Sequence, residues 1–153
     1  MISRLIVDME LTRQIQDQAV RDRIAADCTQ LIDTQVAAKG GLGGMALKAA
    51  YGAVKGLGGN YVLGAVQRLL PEVFEALDPI WAEGRSAGNP VAYLSEHSDR
   101  TADIILSTTD QRIERKASGG IIGSTYKKLR KSVKKDVAAA VPGLAQIIDK
   151  HTS

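Results

Sequence analysis

The chain has 153 residues, a formal net charge of +3, 44% hydrophobic residues and only 4% aromatic ones. That length suits one domain with its own core, filled mainly by alanine, valine, isoleucine and leucine because aromatics are scarce. A single cysteine, Cys28, excludes an internal disulfide and fits a reducing cytosol, and no apolar run approaches the ~20 residues of a membrane span, so a soluble cytoplasmic protein is expected.

The apolar period is helical almost throughout, and no segment alternates long enough to make a strand. Residues 2–10 read as a short helix. Ile24, Cys28, Leu31 and Ile32 then share one face, with Arg21, Asp22 and Asp33 opposite, which predicts a helix from residue 18 to Ala38 stopped by Gly40-Gly41. Residues 34–71 hold 9 of the 15 glycines, four basic residues and no acidic one. Within them residues 44–55 read as a helix with small side chains at Ala49, Gly52, Ala53 and Gly56, a face that predicts close packing on a neighbour. Gly58-Gly59 ends it, and Asn60 is placed to cap the next helix.

That next helix carries the stripe Val62, Val66, Leu69, Leu70, Val73 and Leu77, with Pro71 inside it predicted to kink or break it. Asp78-Pro79 reads as a cap followed by proline at the first helical position, opening a short turn with Ile80 and Trp81. Residues 84–88 read as a loop, and Asn89-Pro90 repeats the cap-and-proline signal before Val91, Tyr93 and Leu94. Ser98 is expected to cap a helix through residue 116 that buries Ala102, Ile105, Leu106, Thr109 and Ile113. A break is predicted at Ser118-Gly119-Gly120. The basic residues 126–130 follow as helix. A last helix is capped by Ser132, buries Val133, Val137, Ala140, Leu144 and Ile148, and is interrupted at Pro142-Gly143.

Charge is segregated along the chain. Residues 72–110 hold two basic and eight acidic residues, whereas residues 111–135 hold nine basic and one acidic. Attraction between the two blocks across a bundle explains this without any partner. The alternative is an anionic-surface site at Lys127, Lys128, Arg130, Lys131, Lys134 and Lys135, suited to an acidic protein or an anionic membrane. Only one aromatic accompanies these lysines, so base stacking and sequence-specific nucleic-acid binding are not expected.

No motif for catalysis stands out. Gly44 is followed by Met45-Ala46 rather than by the lysine of a phosphate-binding loop. Glu96, His97, Asp99 and Asp103 form a polar cluster without the Glu-x-x-His pairs of di-metal bundles. Cys28 lies on the apolar side of its helix, where a thiol is inert. No cofactor or metal is expected. Residues 42–70 also fit an amphipathic helix lying on a membrane, or the wall of an apolar-ligand site, but covering a core is the simpler reading.

Several phrases resemble a family of small, uncharacterised bacterial proteins of actinobacteria and cyanobacteria, classed as a domain of unknown function. They are Ala26-Asp27-Cys28 with Leu31-Ile32-Asp33, Leu69-Leu-Pro-Glu72 with Ala76-Leu-Asp-Pro79 and Trp81, and Tyr126-Lys-Lys-Leu-Arg130 with Val141-Pro-Gly-Leu144. The resemblance covers most of residues 20–150, implies a self-contained helical domain and transfers no functional residue. The expectation is therefore an all-α bundle of about six or seven helices over residues 1–153, several broken by proline, with a glycine-rich close-packed helix. Its expected function is non-enzymatic binding or protein interaction, as a monomer or a homo-oligomer, with carriage of an apolar ligand or lipid as the alternative. A deep apolar pocket with a few polar groups would favour the carrier; a flat surface would favour the interaction module.

Overall fold

The computed structural model describes residues 10–116 and 121–152. These contain seven helices and no strand: α1 (Glu10–Gln14), α2 (Gln18–Ala38), α3 (Gly41–Lys55), α4 (Tyr61–Ser86), α5 (Pro90–Glu96), α6 (Ser98–Lys116) and α7 (Ile121–Thr152). The helix expected over residues 2–10 and the break at 118–120 lie outside the described residues, apart from Glu10, which opens α1.

Local chemistry accounts for several ends. The Asp17 side chain accepts from the N–H groups of Ala19 and Val20 and so caps α2. Asn89 accepts from Ala92 N–H at 3.1 Å, with Pro90 at the start of α5, as predicted. Asn60 precedes α4 but makes no capping bond with its side chain. Ser98 opens α6, yet its hydroxyl donates back to the Ser95 carbonyl instead of capping forward.

The centre of the bundle is α4. It packs against α1, α2, α5 and α6, while α7 packs against α2, α5 and α6. Phe74, Leu77, Ile80 and Trp81 of α4 are fully buried, and they meet Ile24 and Cys28 of α2, Leu94 of α5, and Val141, Ala145 and Ile148 of α7 in one core.

Three expectations about α4 and α7 need correction. Pro71 and Pro79 both lie inside a continuous α4, and Pro142 inside a continuous α7. An interior proline costs a helix about 3 kcal/mol, but full burial of one large apolar side chain returns about 1.5–3 kcal/mol. Leu70, Phe74, Leu77, Ile80 and Trp81, all buried on α4, outweigh that cost. For the same reason Ser132 starts nothing; it is an exposed residue within α7. Residues 84–86 are helix rather than loop, and a Cβ on buried Gly84 would lie 2.7 Å from Pro90 Cα, so glycine there lets α5 fold back against α4.

Asp78 is corrected in the same way. It is not an N-cap for its own helix. It is buried within α4, and accepts the N–H of Leu11 at 2.6 Å, the N–H of Thr12 at 3.2 Å and the Thr12 hydroxyl. It therefore satisfies the first amides of α1, a helix distant in sequence. Burial pushes the carboxyl pKa up, and the three donors oppose that push.

Glycine-rich α3 also differs from expectation. Gly52 has no atom within 4 Å of where a Cβ would stand, and Gly56 meets only carbonyls of its own helix. The close approaches occur elsewhere. A Cβ on Gly44 would stand 2.3 Å from the Lys39 carbonyl oxygen, and one on Gly143 would stand 2.9 Å from Leu31 Cδ1. Gly143 thus lets α7 press on α2, at the position expected to interrupt the helix.

Candidate functional site

An apolar groove of about 440 Å³ opens between the C-terminal half of α2 and residues 133–140 of α7, with Leu47 of α3 at its side. Its walls include Leu31, Ile32, Val36, Val133 and Val137, all half-buried. The sequence pattern assigns Val133, Val137 and Ala140 to the core. They line the groove instead, and the buried positions of α7 are Val141, Ala145 and Ile148.

Short tethers place α3 beside the groove. Tyr51 donates its hydroxyl to Asp33 Oδ1 at 2.6 Å, and Lys55 reaches the same oxygen at 3.3 Å. The Tyr51 hydrogen bond, with help from Lys55, holds the Asp33 carboxyl below its ordinary range, and burial pushes the Tyr51 phenol up. At the turn between α2 and α3, Lys39 Nζ donates to Asp136 Oδ1 of α7 at 2.6 Å. The other oxygen, Asp136 Oδ2, is buried without a hydrogen-bond partner. The groove is therefore mainly aliphatic, with Gln35 and the Lys39–Asp136 ion pair as its polar lining. Sequence reasoning missed Asp136 and Lys39 because nothing local pairs two residues so far apart.

The basic segment divides in two. Arg130 grips Asp110 through Nε and Nη2 at 3.0 and 3.1 Å, and Lys134 reaches Asp103 at 3.2 Å. Arg112 likewise meets Glu72 at 3.1 Å. Attraction between the acidic and basic blocks thus operates between α6 and α7, and between α4 and α6. Lys127, Lys131 and Lys135 are exposed, one turn apart on α7. The side chain of Lys128 lies outside the described residues, as does that of Ile113.

Cys28 is buried, and desolvation pushes its thiol up to about 12. His97 stacks on Tyr93 with ring centroids 4.3 Å apart, and its Nδ1 lies 2.8 Å from the Tyr93 carbonyl oxygen. No group of three potential metal ligands occurs among the described residues, and no helix among them is long and apolar enough to cross a membrane.

Comparison with known proteins bears out the resemblance as to a family of unknown function. The chain belongs to a family of unknown function, DUF6918, whose pattern matches residues 11–152. No curated protein and no solved structure matches it.

Proposed function

We propose that this DUF6918 member is a non-enzymatic binding protein that carries an apolar ligand in the groove between α2, α3 and α7. The observation that carries the reading is a mainly aliphatic groove with an ion pair, Lys39 Nζ to Asp136 Oδ1 at 2.6 Å, in its lining. A groove of about 440 Å³ falls within the ~300–1,000 Å³ of ordinary small-molecule sites. The ion pair favours a ligand with a neutral head that both donates and accepts, such as a hydroxyl, at one end of an apolar body. A carboxylate at the same position would have to displace Asp136 from Lys39.

The test is calorimetric titration of the purified protein with decanol and with decanoate. Decanol is expected to bind more tightly, Val137→Phe to abolish binding by filling the groove, and Asp136→Asn to reduce the preference for the alcohol. Absence of binding by either probe would reject the carrier reading in favour of protein interaction. The same reading places the protein in the cytoplasm of an actinobacterium or cyanobacterium, in keeping with one buried cysteine.

A further inference from the structure

The outer face of α3 takes no part in the groove. Leu47, Ala50, Tyr51 and Val54 turn toward the bundle, and Gly44 is buried. The opposite side carries Leu42, 85% exposed, and Met45, 69% exposed, followed by exposed Ala46, Ala49, Gly52 and Ala53. Leu57, just past the helix, is 54% exposed. No polar residue interrupts this strip. Exposed Lys48 flanks it on one side, one turn beyond Met45, while Lys55, at the end of the helix, is paired with Asp33. From Thr34 to Leu70 there is no carboxylate at all.

We infer that this face docks on an anionic lipid bilayer, with Leu42, Met45 and Leu57 entering the boundary between headgroups and acyl chains. The charge selects the occupant. A second copy of the chain would bring Lys48 and the same carboxylate-free strip against itself, whereas anionic headgroups complement Lys48. The small residues between Met45 and Gly56 keep the strip flat and let the backbone approach the surface. This inference does not depend on what fills the groove behind α3.

The test is co-sedimentation of the full chain with vesicles of pure phosphatidylcholine and of phosphatidylcholine mixed with phosphatidylglycerol. Binding is expected to the mixed vesicles, and to be at least about tenfold weaker for Leu42→Glu combined with Met45→Glu, because two apolar side chains no longer leave water. A Met45→Trp variant, made with Trp81→Phe, is expected to shift to shorter emission wavelength on these vesicles and to be quenched by brominated lipid. Triple replacement of Lys127, Lys131 and Lys135 by glutamine is expected to leave that quenching intact. Three results would each overturn the inference: no binding to the mixed vesicles, binding unchanged in the Leu42/Met45 variant, or a dimer in light scattering that the same variant dissociates. Circular dichroism of each variant confirms that these surface substitutions leave the fold in place.

Discussion

Asp78 and Leu11 are 67 positions apart, yet the carboxylate of one accepts the backbone N–H of the other at 2.6 Å. Through this bond, and those from Thr12, the middle of α4 fixes the start of α1. Leu11 is fully buried as a result, so an electrostatic contact and an apolar one depend on the same placement.

Asp78→Ala removes the acceptor for two amides and a hydroxyl. A loss of roughly 2–4 kcal/mol is expected, with a smaller loss for Asp78→Asn, which keeps one carbonyl oxygen. Urea denaturation followed by the emission of fully buried Trp81 measures both. Equal stability of the Ala variant and the parent would show that α1 is held by Leu11 alone.

Glycines on α3 and at the helix contacts should respond in opposite directions. Gly52→Ala meets open space and should raise stability by up to about 1 kcal/mol through helix propensity. Gly84→Ala and Gly44→Ala should both lower it, since the new methyl group would stand 2.7 Å from Pro90 Cα and 2.3 Å from the Lys39 carbonyl oxygen, respectively. Thermal unfolding of the three variants decides the matter, and a destabilised Gly52→Ala would mean that α3 packs on something.

Glu83 gives a pH dependence. Arg100 and Tyr93 both hydrogen-bond its carboxylate, Arg100 contributing more, and hold its pKa at about 2 against an ordinary 4.5. A carboxyl depressed on folding stabilises the fold fully above the ordinary value and loses that contribution as pH falls toward the folded one. Between pH 4.5 and 2 the parent should therefore lose more stability than Glu83→Gln. The difference should be modest, because the pair is solvent-screened. Parallel pH-dependent slopes for the two proteins would rule the contribution out.

The basic segment should divide by function as it does by geometry. Glutamine at Lys127, Lys131 and Lys135 should abolish a weak, salt-sensitive retention on DNA that ignores sequence, and leave the unfolding midpoint unchanged. Glutamine at Arg130 and Lys134 should instead cost stability, at most about 1 kcal/mol for each exposed pair. Chromatography on immobilised DNA at two salt concentrations, beside a denaturation curve, separates the two roles. Loss of DNA retention only in the Arg130/Lys134 variant would reverse the assignment.

Much of the helical order was legible in the chain itself. The stripe of Ile24, Cys28 and Leu31 located α2, the Gly40-Gly41 pair ended it, and Asn89-Pro90 opened α5, because each signal acts within a turn or two of backbone. Periodicity cannot report what lies opposite a helix face. Hence the stripe of Val133 and Val137 read as core although it walls a groove, and the small residues around Gly52 read as a contact although they face outward.

What the sequence determined by itself is the all-helical class, most helix positions and the segregation of charge. Tertiary structure alone decided whether Pro71, Pro79 and Pro142 end their helices, where the Asp78 carboxylate is used, which glycines carry close contacts and which lysines find an aspartate. The physical reason is one of scale. Caps and propensities contribute about 1 kcal/mol each within a few residues. The burial that overrides them adds together many side chains distant in sequence, each stabilising the fold by more than a single cap does.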